Sequence, residues 1–94
     1  MAEKGSAGVN VIVSDPWLQK QAELDVDPEA SIRELVEGAI GHLSLPRNDA
    51  SGRSITFHAR LEREGRHMHA DEITGVALRD KDRVILEPDI DAGR

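Results

Sequence analysis

The chain has no cysteine and no tyrosine, and its only aromatic rings besides histidine are Trp17 and Phe57. Without cysteine there is no disulfide, no thiolate metal ligand and no thiol nucleophile, a composition suited to a reducing compartment. Two rings are too few for a platform that stacks single-stranded bases. Basic residues are also short: twelve Lys and Arg face eighteen Asp and Glu, leaving a formal charge of −6. That balance argues against a phosphate-binding surface, so nucleic acid is not an expected partner. No apolar run reaches the length of a signal core or a membrane span, so the expected location is the cytoplasm, with no membrane contact. No nucleophile sits with a matching base, no carboxylate pair marks a cleft, and no phosphate loop is present. The chain is therefore not expected to be an enzyme or to hold a cofactor.

What is present is a short, aliphatic, strongly patterned chain. Ninety-four residues make one domain with a small core, expected to be monomeric. Residues 1–8 read as a small, polar leader. Val9, Val11 and Val13 alternate as one face of a first strand. Asp15-Pro16 turns the chain. Trp17 beside it is expected to lid one end of the core, the alternative being an exposed contact residue. A second strand over 18–26 places Ala22, Leu24 and Val26 on one face, in an antiparallel hairpin with the first. Ser31 and Glu34 form a capping box, and Ile32, Leu35, Val36, Ala39, Ile40 and Leu43 follow at helical spacing. Gly38 and Gly41 each cost such a helix about 1 kcal/mol relative to alanine, which close packing of helix on sheet would explain.

The helix ends near Leu43, and a polar loop over 47–53 follows. Ile55, Phe57, Ala59 and Leu61 then alternate with Thr56, His58 and Arg60 as a third strand. Glu64-Gly65 turns into a short fourth strand over 66–69, with Met68 inward. Ile73, Val76 and Leu78 mark a helical turn or a packed loop. A polar turn at Asp80-Lys81-Asp82 leads to the last strand, 83–87. One helix must cover one face of a mixed sheet. The first and last strands are the most continuously apolar and are expected side by side at its centre. The fold class is α+β, a β-grasp, over residues 9–87, with 88–94 as a flexible tail.

His58, His67 and His69 invite a metal reading, because His-x-His on a strand can bind zinc. No further ligand stands at a suitable spacing, so solvated histidines are expected and no metal site. His42 is expected to meet the last carbonyls of the helix.

The order of these features resembles that of ubiquitin-like proteins, with bacterial ubiquitin-like modifiers among them. The resemblance rests on Glu23 to Ile32 at the strand–helix junction, and on Glu64-Gly65-Arg66-His67-Met68. It rests also on Asp71-Glu72-Ile73 and on Gly75 to Leu86. It implies a ubiquitin-like β-grasp and places Gly93 where ubiquitin has its terminal glycine. It then implies a protein modifier. A peptidase would remove Arg94, an activating enzyme would adenylate Gly93, and a conjugating enzyme would join it to target proteins. Ala92 and Gly93 would enter the narrow channels, where a bare backbone is needed. Asp89, Ile90 and Asp91 would be read by a basic groove. Lys4, Lys20 and Lys81 would be the side-chain amines able to accept further copies. The chain departs from ubiquitin in carrying Ala92-Gly93 rather than Gly-Gly and an acidic tail, and in lacking ubiquitin's apolar patch on strand three. The alternative is a non-covalent interaction module, similar to the ubiquitin-like regulators associated with type VII secretion. Sulfur carriage is a third reading, weakened by the missing Gly-Gly. Without a partner, 88–94 is simply a frayed end.

Overall fold

The computed structural model of the protein describes residues 8–89. The alternation of valines produces β1, Val9–Ser14, whose Val11 and Val13 are fully buried. β2, Gln21–Val26, returns antiparallel to it, with Val9 opposite Val26 and Ser14 opposite Gln21. β2 starts three residues later than the sequence pattern suggests, because 15–20 form a turn instead. α1 covers Ile32–Leu43 and β3 covers Thr56–Leu61. β4 is only Arg66–His67, shorter than expected, although Met68 just beyond it is buried as expected. α2, Thr74–Ala77, is the expected helical turn, and β5 runs from Asp82 to Asp89.

These strands form one mixed sheet in the order β2-β1-β5-β3-β4. β1 and β5 lie parallel at its centre, Val11 opposite Asp82 and Ser14 opposite Ile85. β3 lies antiparallel on the far side of β5. α1 crosses one face, and its Ile32, Leu35, Ala39, Ile40 and Leu43 pack with Val11, Val13, Leu61, Val84 and Leu86. Each such aliphatic side chain contributes about 1.5–3 kcal/mol by leaving water. The result is the α+β, β-grasp architecture that the patterning implies.

Both ends of α1 are tied down. The Ser31 hydroxyl accepts from the Glu34 N–H at 3.2 Å, the first half of the capping box. Two further N–H groups that a helix leaves unpaired, those of Ile32 and Arg33, donate to the carbonyls of Glu72 (2.8 Å) and Ala70 (3.0 Å). At the other end Ser44 adopts a left-handed conformation, φ 56°, and its N–H returns to Gly41. Leu45 then turns back into the core, its N–H donating to the Ile40 carbonyl at 3.0 Å.

The segment that caps the helix is itself locked. Thr74 is fully buried, and its hydroxyl donates to the Asp27 carbonyl at 2.7 Å. Gly75 N–H donates to the Pro28 carbonyl at 2.8 Å, and a Cβ on Gly75 would lie 2.8 Å from Pro28 Cβ and from Pro28 O. Gly75 is thus the glycine that close packing requires. Gly38 and Gly41 are not: a Cβ at either position would meet nothing within 4 Å.

The last strand also differs from expectation. It continues through Pro88 and Asp89, which pair with Phe57 and Thr56, so these two residues belong to the sheet rather than to a tail. Proline is tolerated there because the parallel pairing with β1 stops at Ile85 and leaves that flank open. Where β5 begins, Asp82 is 7% exposed and accepts a two-pronged contact from Arg63, Nε to Oδ1 at 2.9 Å and Nη2 to Oδ2 at 3.0 Å. The Arg79 N–H adds a third bond at 2.8 Å. Arg63, aided by that N–H, holds the Asp82 carboxyl below its ordinary range.

Three outcomes follow. In urea unfolding, Gly75→Ala is expected to lose about 1–3 kcal/mol through overpacking against Pro28. Gly38→Ala and Gly41→Ala should each gain up to about 1 kcal/mol, since the helix gains and nothing clashes. For Asp82 the folded value lies below the unfolded one, so its contribution is whole above the ordinary aspartate value of 3.8 and drains as pH falls through the lower folded value. Below about pH 4 the protein should therefore lose stability more steeply than its Asp82→Asn variant, read from unfolding midpoints across a pH series.

Candidate functional site

Because β1 and β5 are parallel, the last described residues of β5 lie toward the end of the sheet where β1 runs into the 15–20 turn. That turn is built around a buried carboxylate. Asp15 is 2% exposed, and its Oδ1 accepts from the N–H groups of Gln19 (2.8 Å) and Lys20 (3.2 Å). Its backbone N–H donates to the Lys20 carbonyl (3.0 Å), and its own carbonyl accepts from Leu18 (3.2 Å). Four bonds to one residue fix the tip of the hairpin.

The tip presents Trp17, 59% exposed, and Leu18, 66% exposed. Trp17 is therefore not a lid on the core; the buried Asp15 turns the chain outward before the ring can reach it. Leu18 holds φ 58°, a left-handed conformation that costs a side chain with a Cβ roughly 1–2 kcal/mol. A leucine that is both exposed and strained contributes little to folding. Tryptophan beside it is the residue type most enriched where partner proteins gain binding energy.

Beside the tip lies the outer face of the sheet, opposite α1. It is laced with charge. Glu87 on β5 receives Arg60 Nε at 2.9 Å and stands 2.9 Å from His67 Nε2. The His67 ring, then Arg60, hold the Glu87 carboxyl below the usual glutamate range. Arg83 Nε lies 3.2 Å from Glu62, and Lys81 Nζ donates to Glu23 at 2.6 Å. Ile85, whose neighbours Val84 and Leu86 enter the core, lies on this side of the sheet and is buried.

The histidines do not converge. His58 and His67 have ring centroids 6.5 Å apart, but His67 is engaged with Glu87. Strand pairing ends at His67, so His69 falls in the following turn, where its N–H donates to Glu72 at 2.7 Å. Among the described residues no group of three or more His, Cys, Asp or Glu is placed to hold a metal ion. His42 stands in the last turn of α1 as expected, but the side chain recorded on a terminal carbonyl there is Lys20, whose Nζ donates to Leu43 O at 3.2 Å. Of the candidate acceptor lysines, Lys20 thus secures the helix end and Lys81 is paired with Glu23, which raises its pKa. Lys4 lies outside the described residues, as do Ile90, Asp91, Ala92, Gly93 and Arg94; Asp89 is placed by its backbone pairing with Thr56.

No protein-family model and no curated protein matches the sequence. Solved structures do match the fold. A ubiquitin from Caldiarchaeum subterraneum superposes with TM-score 0.65 at 17% identity, over 87% of this chain and 94% of that one. A structure described as molecular mimicry of SUMO in DNA repair gives TM-score 0.65 at 10% identity, over 89% and 95%. The N-terminal ubiquitin-like domain of the 4931431F19Rik protein gives 0.62 at 16%, over 93% and 80%. The chain has the ubiquitin-like β-grasp fold. No helix among the described residues is long and apolar enough to cross a membrane.

If the tip is shaped for contact rather than for folding, relieving it should not cost stability. Leu18→Gly is expected to raise the unfolding free energy by up to about 1 kcal/mol, since glycine accepts φ 58° without a Cβ penalty. A loss of stability would mean that Leu18 packs usefully in the free protein.

Proposed function

We propose that this chain is a ubiquitin-like protein modifier, processed after Gly93 and activated and conjugated through that glycine by dedicated partner enzymes. The observation that supports it most is the course of β5. The strand is held to β3 as far as Asp89, four residues before Gly93. Adenylation needs a carboxylate on an unbranched backbone that an enzyme can grip on all sides, and Ala92-Gly93 supplies one once Arg94 is removed. Partners in this reading are a peptidase, an activating enzyme, a conjugating enzyme and the target proteins, all met in the cytoplasm. The chain itself catalyses nothing, needs no cofactor and works as a monomer.

Trp17 and Leu18 also favour a second reading, a non-covalent binding module. A fixed, exposed Trp-Leu pair can seat in an apolar pocket of a partner without any use of the tail. The two readings separate cleanly. In its own host the C-terminal peptide of a modifier should end at Gly93, free or joined to a target amine, as read by mass spectrometry. Deleting Gly93 and Arg94 should abolish those adducts while Trp17→Ala leaves Arg94 removal intact. Intact Arg94 throughout, in cells that express the partner enzymes, together with partner binding lost only in Trp17→Ala, would decide for the module.

A further inference from the structure

β2 stands at one end of the strand order, so only one of its flanks is paired. That flank meets β1 from Val26 opposite Val9 to Gln21 opposite Ser14. Successive residues of an antiparallel strand send their N–H and C=O to opposite sides. Two bonds fix the phase. The Asp15 N–H donates to the Lys20 carbonyl at 3.0 Å, which makes that pair, and by alternation Ala22, Leu24 and Val26, the ones bonded to β1. The Asn10 carbonyl is taken from the β5 side by the Lys81 N–H, so Asp25, opposite Asn10, looks away from β1. The N–H and C=O of Gln21, Glu23 and Asp25 therefore point outward along the whole strand, and no described residue bonds them.

Beside this edge a groove of about 280 Å3 runs between β2 and α1. Leu24, Val26, Ala30, Leu35 and Gly38 line it, and Leu24 is only partly buried. A Cβ on Gly38 would meet nothing within 4 Å, so the helix wall there is bare backbone with room beside it. Glycine weakens the helix at that position and gains no packing within the molecule. The charge around the edge has one sign. Asp25, Asp27 and Glu34 also line the groove, and none is paired with a Lys or Arg among the described residues. Glu23 has Lys81, whose Nζ donates to it at 2.6 Å, but that one cation also answers Asp80 and Asp25. Lys20 is held at the Leu43 carbonyl. Two β2 edges brought together would set these carboxylates against one another, which disfavours a second copy as the occupant.

We propose that the open edge of β2 binds an extended segment of a partner protein, antiparallel, in which one aliphatic residue is flanked on both sides by lysine or arginine. The aliphatic residue stands opposite Leu24. Residues directly opposite in a ladder share a face, so its side chain enters the groove with that of Leu24, against Leu35 and the bare backbone of Gly38. Its two neighbours stand opposite Glu23 and Asp25 and exchange backbone bonds with them. Their side chains point with those of Glu23 and Asp25 to the outer face, where cations meet carboxylates. This site is separate from the Trp17–Leu18 tip and does not depend on what happens at Gly93.

The test is an NMR titration of the full-length, 15N-labelled chain with the capped pentapeptide Thr-Lys-Ile-Lys-Thr. Thr-Glu-Ile-Glu-Thr and Thr-Lys-Ser-Lys-Thr are the controls for charge and for the aliphatic residue. The expected result is shift changes centred on residues 21–25, Leu35 and Gly38, with slower hydrogen exchange at the Glu23 and Asp25 amides, for the first peptide only. Asp25→Lys, an exposed change, should weaken that binding about tenfold. Gly38→Leu should weaken it at least as much by filling the groove, while its unfolding midpoint stays at or above that of the unaltered chain, since leucine favours the helix. No change at Glu23 and Asp25 at millimolar peptide would overturn the proposal. So would equal binding of either control, full binding by Gly38→Leu, or changes confined to Trp17 and Leu18. Protection of Glu23 and Asp25 that grows with protein concentration, without peptide, would give the edge to a second copy instead.

Discussion

Parallel strands cannot be joined by a tight turn, so pairing β1 with β5 obliges everything between them to act as one long crossover. β2 must fold back on the outer side of β1, α1 must cross the face, and β3 must return on the far side of β5. The two central strands supply four of the fully buried aliphatics, Val11, Val13, Val84 and Leu86, against which α1 packs. The same pairing sets the direction of β5. β5 runs on past the end of β1, and that puts the hairpin tip and the end of β5 at one end of the sheet. Core packing and the candidate site are thus two consequences of one register.

The outer face shows how a five-stranded sheet with a single helix manages its uncovered side. Ile85 is buried there without entering the core, beneath a face that carries the Arg60–Glu87–His67 and Arg83–Glu62 contacts. Each exposed ion pair contributes at most about 1 kcal/mol. Their larger effect is to occupy charges and to keep an apolar strand from meeting another sheet. With that face committed to its own charges, the exposed large apolar side chains among the described residues stand elsewhere, Trp17 and Leu18 at the hairpin tip and Ile73 and Val76 at α2.

The patterned parts of the fold were legible in the sequence because burial imposes a period. Val9, Val11 and Val13, the odd residues from Ile55 to Leu61, and the Ser31 cap each state a face or a terminus locally. What was not legible depended on neighbours distant in sequence. Trp17 next to a proline has no period, and only the Asp15 bonds show that it faces outward. Gly38 and Gly41 looked like packing glycines because they sit in a helix, yet among the described glycines the one whose Cβ would clash is Gly75, whose constraint is Pro28, more than forty positions away. The short length of β4 follows from residues 70–72 turning aside to satisfy the first N–H groups of α1, a demand that belongs to another element. Of the candidate site, the structure locates Asp89, Lys20 and Lys81, whereas Ala92, Gly93 and Arg94 are known by sequence position alone.

Pro88 joins these strands of reasoning. A proline near the end of the last strand reads as the start of a tail, since it cannot donate to a ladder. In the sheet it sits where β1 has already ended, so its missing N–H costs nothing on that side. On the other side it fixes the phase of β3, because a residue without an N–H must stand opposite one that looks away. That places the backbone groups of Phe57 on the flank that β4 does not reach. The residue that reads as the end of the fold therefore lies inside the sheet, and the ladder runs on past it to Asp89.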